Sequence, residues 1–355
     1  MRIIDCDSHF LTCDIYKNIE EQYQNLLPKY KFDLHNRVID IQFDQDPCRA
    51  NDNSVTFTHH CEEPGVNNID VRLQDLTKLK IDKQLLAPQE RALRFNYSVE
   101  KNLAAAMAHS YNIEIKKIAN QYPDKFFVVA LLPLQDIDLS LRELDWIIAN
   151  NFKSIYIDCL YYDLNNNTYK PLSIYPRINE IFAVCEKYNI IIFQHHYMHK
   201  IPSQATDIIN IIDKSPIPNR VAISIYDWLV SGIFEQFPNL QVVLTETTEN
   251  IIKNIFENMQ VYYDTNSKSN KLVHYLEYFK KNLFITIEVE KKDNVSYLLE
   301  HIGSDRLLFG TDYPHTDPAG SNKWNDVDDL YKLELSQVDL ENIAFRNAEK
   351  LFKLI

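Results

Sequence analysis

Eight short apolar runs, separated by longer stretches with helical spacing, constrain this chain more than any other feature. They are RIIDCD (2–7), KQLLAP (83–88), FFVVALLP (126–133), KSIYIDC (153–159), NIIIFQHH (189–196), LQVVLTE (240–246), NLFITIE (282–288) and RLLFGTD (306–312). Each has the length of a strand buried on both faces, as in a parallel sheet covered by helices. Between them apolar residues recur near every third or fourth position; in 98–122, Leu103, Met107, Ile115 and Ile118 define one helical face. Further helical stretches are 173–188, 220–237 and 340–355. Strand and helix alternate throughout, and eight such units predict an α/β fold, a (β/α)8 TIM barrel with its chemistry at the C-terminal ends of the strands. An open doubly wound sheet is the competing topology. Built for a nucleotide, it would carry a Gly-rich turn after a strand, and the sequence has none.

No compositional shift divides the 355 residues, so 1–355 reads as a single domain. One segment breaks the alternation: residues 10–68, polar and aromatic with His35, His59 and His60, predict a lid or binding insertion after the first strand. A formal net charge of -13 excludes nucleic acid as the natural partner, since phosphate binding needs a basic face. No apolar run reaches membrane-spanning length, and Asp5 and Asp7 interrupt any signal-peptide core. Six cysteines without CxxC pairing point to reduced thiols in a cytoplasmic protein, with Cys6, Cys159 and Cys185 filling the core. The expected partner is a small-molecule substrate, with no membrane and no nucleic acid.

The polar residues that end the runs carry the chemistry. The first run leads into DCDSH, and on a regular strand Asp5, Asp7 and His9 would share one face. Burying two carboxylates and an imidazole together costs several kcal/mol unless something such as a cation offsets it. The other reading ends the strand at Ile4 and makes 5–9 a solvated turn. The fifth run ends in His195 and His196, the sixth in Glu246, the seventh in Glu288 and the eighth in Asp312. Each has an ordinary explanation: one of two adjacent histidines must face away, Asp312 in GTDYPH suits a turn, and Glu246 suits a helix cap. Gathered at one barrel mouth, however, Asp, His, His and Asp form a donor set for Zn²⁺, Mn²⁺ or Fe²⁺.

These residues sit within blocks that resemble the amidohydrolase-related ("amidohydrolase 2") proteins of the amidohydrolase superfamily, the group that includes aminocarboxymuconate semialdehyde and resorcylate-type decarboxylases. The blocks are DCDSH, VRLQDLTKLKIDKQLLAP, AHSYNIEIKKIANQYPDKFFVVALLPLQD, DWLVSGIFEQFPNLQVVLTE, GSDRLLFGTDYPHTD and ENIAFRNAEKLF. The resemblance implies a distorted barrel, one divalent metal and a homodimer. It maps the metal ligands to Asp7, His9, His195 (with His196 the alternative) and Asp312. It also exposes a departure: resembling decarboxylases carry a histidine at the end of strand six, and this chain has Glu246.

That departure makes a metal-dependent hydrolase the first expectation. A cation would lower the pKa of bound water from 15.7 toward about 7, Asp312 would take its proton, Glu246 would serve as a second acid/base, and an amide, ester or lactone bond would be cut. The alternative is non-oxidative decarboxylation of an aromatic or unsaturated acid, with Arg91 or Arg94 gripping the carboxylate. Arg91, His196 and Tyr161 are the expected substrate contacts, with Tyr162 and Tyr197 as further aromatic wall. A catalytically silent barrel is the third possibility, opposed by the complete set of metal-type residues.

Overall fold

The computed structural model describes residues 1–24, 27, 29–34, 38–42, 56–57, 64–89, 101–163, 168–195, 216–245, 249–265, 275–289, 292–315 and 326–354. All eight apolar runs contain strands: β1 (Ile4–Asp5), β2 (Lys83–Pro88), β3 (Phe126–Val128, continued by Ala130–Leu131), β4 (Ser154–Asp158), β5 (Ile191–His195), β6 (Val242–Leu244), β7 (Leu283–Ile287) and β8 (Leu307–Phe309). Each pairs in parallel with the next, β3 using its first half for β2 and its second for β4. The ring closes where the Cys6 N–H donates to the Phe309 carbonyl at 2.8 Å and the Asp312 N–H to the Asp7 carbonyl at 2.9 Å. The fold is the expected TIM barrel. Every residue of β2, β4, β5 and β7 is buried, which is why these strands are near-continuous apolar runs rather than alternating ones.

Helices follow each strand: α1 (Ile69–Leu79), α2 (Lys101–Gln121), α3 (Ile137–Ala149), α4 (Ile178–Tyr188), α5 (Pro216–Val230), α6 (Glu249–Thr265), α7 (Lys292–Ile302) and α8 (Asp326–Lys332). The anticipated face of α2 is the buried one: Leu103, Met107 and Ile115 are in the core and Ile118 packs against it. Burial of each such side chain contributes about 1.5–3 kcal/mol. Helix boundaries differ where backbone chemistry intervenes. The helix expected from 173 begins at Ile178, because Pro176 and a left-handed Arg177 (φ 65°) precede it. The stretch 220–237 is broken by Gly232 (φ 88°) into α5 and a short turn, Ile233–Gln236. Asn342–Arg346 form a π-helical turn ahead of the last helix, Asn347–Phe352.

In the insertion, the described residues include a small antiparallel sheet of Lys29–Phe32, Val38–Gln42 and Thr56–Phe57; His35, His59 and His60 lie outside the described residues. Among the described residues no helix is long and apolar enough to cross a membrane.

The first strand does not run evenly to its end. Ile4 and Asp5 pair with Lys83 and Gln84, then pairing resumes at His9 and Phe10 against Ala87 and Pro88. Four positions separate Asp5 from His9 but only three separate their partners Gln84 and Ala87. The one extra residue is a bulge, and a bulge re-aims side chains beside a barrel rim. Simple alternation therefore fails here: Asp5 and His9 do not share a face, and neither of the two sequence readings of 5–9 is complete.

Candidate metal centre

Asp7 and His9 leave the C-terminal end of β1, His195 is the last residue of β5, and Asp312 follows β8, so three distant segments deliver their side chains to one mouth. Ligand atoms of Asp7, His9 and His195 lie within 4.8 Å of one another, and all three residues are buried. A second triplet, His9, Asp312 and His315, meets the same limit. The four ligands expected from the sequence are therefore covered by two overlapping groups that share His9. Donors of one ion at about 2.0–2.2 Å stand up to about 4.3 Å apart, so a small contraction brings either group to coordination distance.

The local bonding decides what each donor offers. His9 Nδ1 lies 2.9 Å from the Pro88 carbonyl; a carbonyl only accepts, so Nδ1 carries the proton and Nε2 presents its lone pair. That Nε2 stands 3.1 Å from Asp312 Oδ1. At that distance either a proton on Nε2 or a cation shared by both joins the pair, and the donor set fits one divalent ion. Asp7 is oriented by Thr286 Oγ1, which donates to its Oδ2 at 3.0 Å. Gln194 turns outward to accept from Trp228 Nε1 at 2.9 Å on α5, which by alternation aims His195 inward. The Tyr156 ring packs on the His195 imidazole, with centroids 5.5 Å apart.

Asp5 joins neither triplet among the described residues. Its carboxylate is fully buried and accepts from Gln84 Nε2 at 2.7 Å, Thr311 Oγ1 at 2.7 Å and the Asp7 N–H at 3.0 Å. Burial raises its pKa, and those donors oppose the rise. Gln84 in turn accepts from Arg72 Nε at 2.8 Å. Arg72, also fully buried, grips the His9 carbonyl at 2.7 Å, the Gly65 carbonyl at 3.1 Å and Ser8 Oγ at 2.7 Å, and its guanidinium lies 4.6 Å from the centre of the Tyr313 ring. Desolvation brings Arg72 down to about 10, still charged at neutral pH. The cation sets the path of the backbone that carries the candidate ligands. Asn68 starts α1 by accepting from the Asp70 and Val71 N–H groups, placing Arg72 on the inward face.

Gly310 completes the packing between β8 and β1. A Cβ there would stand 2.7 Å from the Asp7 Cβ and 3.4 Å from the Thr286 Cβ. Gly310→Ala is expected to cost about 1–3 kcal/mol by overpacking and to push Asp7 aside. The thermal midpoint and the bound metal should fall together; an unchanged pair of values would show that the wall yields.

Several sequence expectations fall elsewhere. Glu246, Arg91, Arg94, His196 and Tyr197 lie outside the described residues. Glu288 is half-buried just past β7 and belongs to neither triplet among the described residues. Tyr161 is the second residue of a hairpin strand, Leu160–Asp163, after β4, and it stacks on Tyr175 with centroids 4.4 Å apart. A cavity of about 280 Å³ lined by Ile191, Gln241, Phe284 and Arg306 opens at the N-terminal ends of the strands, away from these residues. Sequence reasoning missed His315, Thr286 and Arg72. His315 had a signal, an imidazole three residues beyond Asp312; Arg72 had one too, a cation in the apolar stripe with Ile69, Leu73 and Leu76.

The sequence model of the amidohydrolase family matches residues 4–354. The chain belongs to that family. Amidohydrolase relatives include the gamma-resorcylate decarboxylase of Rhodococcus jostii (strain RHA1), 25% identical over 313 residues that cover 80% of this chain and 87% of the relative. The 2-amino-3-carboxymuconate-6-semialdehyde decarboxylase of Dictyostelium discoideum is 24% identical over 287 residues, 79% of this chain and 75% of that one. Among solved structures, a dihydroxybenzoic acid decarboxylase from Polaromonas sp. JS666, with bound manganese and 2-nitroresorcinol, superposes with a TM-score of 0.71 at 18% identity, covering 99% of this chain and 97% of that one. That superposition shows the shared barrel.

Proposed function

We infer that this amidohydrolase is a metal-dependent, non-oxidative decarboxylase of an aromatic or unsaturated carboxylic acid. The observation that carries this reading is the match along 80% of the chain to a decarboxylase, joined to a donor set of two carboxylates and imidazoles at the barrel mouth. It reverses the order of the two enzymatic expectations, placing decarboxylation before hydrolysis. Asp7, His9, His195 and Asp312 would hold one divalent cation, with Zn²⁺, Mn²⁺ and Fe²⁺ all suited to the set. When bound, the ion supplies positive charge that holds and polarises the substrate's oxygens. Asp312 would hold the proton and deliver it to carbon as the bond to the carboxyl carbon breaks and the electron pair stays behind. Carboxylate plus one proton thus becomes a C–H bond and CO₂. Arg91 would take the carboxylate, Glu246 would act as a second acid/base, His196 and Tyr161 would contact the substrate, and 10–68 would close over it. The enzyme would work as a cytoplasmic homodimer.

Hydrolysis is the second reading, favoured by Glu246 where resembling decarboxylases have a histidine. Incubation of the metal-loaded protein with hydroxybenzoic acids in D₂O separates the two. Decarboxylation releases CO₂, leaves one deuterium on the carbon that bore the carboxyl group, and stops when a chelator removes the ion. Turnover of lactones or esters with no CO₂ from any acid would reverse the assignment.

A further inference from the structure

The turn after β8 carries two donor residues, and the sequence reading used only one. Asp312 adopts a left-handed conformation (φ 52°), and the His315 N–H returns to the Asp312 carbonyl at 2.8 Å. This turn folds the His315 ring against His9, with centroids 5.1 Å apart. Ligand atoms of His9, Asp312 and His315 then lie within 4.8 Å of one another. His9 can serve only one ion, because its Nδ1 is committed to the Pro88 carbonyl and Nε2 has a single lone pair. One ion at His9 Nε2 can therefore draw donors from either triplet, and among the described residues the two remain separate groups at that limit.

We propose that His315 is a fifth protein ligand of that cation, beside Asp7, His9, His195 and Asp312. The proposal rests on the reading that the mouth binds a divalent ion. Its chemistry is balanced: two carboxylates offset the charge of a dication, and three imidazole nitrogens complete five donors. Five protein donors exceed the four of a closed tetrahedral Zn²⁺ site and leave one position on an octahedral ion, which shifts preference toward Mn²⁺ or Fe²⁺.

The test uses Co²⁺ as probe. The full-length protein is stripped with a chelator and reloaded, and the dissociation constant is read by competition with a chromophoric chelator alongside the visible d–d spectrum. His315→Ala should raise the Co²⁺ dissociation constant at least about tenfold and change the band intensity as the coordination number falls, while Asp7→Ala serves as the variant that must lose the ion. An unchanged constant with a superposable spectrum for His315→Ala overturns the fifth ligand and leaves the metal reading standing. No Co²⁺ binding by the parent protein overturns both. NMR of the Co²⁺-loaded parent decides the matter even where the variant does not fold: three paramagnetically shifted imidazole N–H signals support His315 as a ligand, and two refute it.

Discussion

Asp312→Asn is expected to lower kcat by about 10²- to 10⁴-fold, the range spanned by a positioned proton donor. Asparagine keeps the size of the side chain beside His9, where Asp312 Oδ1 stands 3.1 Å from Nε2, but has no proton to give to carbon. Metal content must be followed in parallel, because Asp312 is also assigned to the ion. The informative condition is saturating metal with the ion shown to be bound. Turnover lost under that condition places the proton on Asp312. A variant that retains its ion and works within tenfold of the parent would move the proton role to another group, with Glu246 first in line.

Arg72→Met should carry the larger cost in stability. The guanidinium is fully buried and makes hydrogen bonds to Gln84, Ser8 and the carbonyls of His9 and Gly65. Its removal leaves Asp5 buried without the cation that opposes its negative charge. Breaking a buried charged network by deleting one partner costs about 3–5 kcal/mol, more than the apolar replacement regains. The loss also reaches function, since the carbonyl of His9 and the hydroxyl of Ser8 are held from the same group. Chemical denaturation should show the reduced stability, and metal titration a weaker site. An Arg72→Met protein as stable as the parent would mean that the network offsets its own desolvation and little more. Asp5→Asn then becomes the informative companion: it removes the buried charge while keeping the acceptor toward Gln84.

Much of the architecture was legible in the chain because it depends on local patterns. Both-face burial writes strands as unbroken apolar runs, and all eight were found at their positions. One-face burial writes helices as a stripe, and the buried residues of α2 were the expected ones. The candidate ligands were legible for a related reason: chemistry in a barrel sits where strands end, so polar residues at the ends of apolar runs stand out. Asp7, His9, His195 and Asp312 became candidates that way, and the structure brings them into two groups around His9.

What escaped the sequence was a matter of relative position. The bulge after β1 adds one residue against β2, and no local pattern announces it, because a bulge is defined by the partner strand. It diverted Asp5 from the candidate metal ligands into the network of Gln84, Thr311 and Arg72. Arg72 itself looked like any helical arginine until α1 docked and turned it onto the backbone of 8–9. His315 became a candidate ligand only when a tight turn folded it toward His9. Strand and helix follow from the spacing of side chains along one segment, and the sequence alone determined them. Which candidate donors meet at one mouth depends on the closure of β8 against β1, a contact between residues about 300 apart in the chain, and only the tertiary structure decided it.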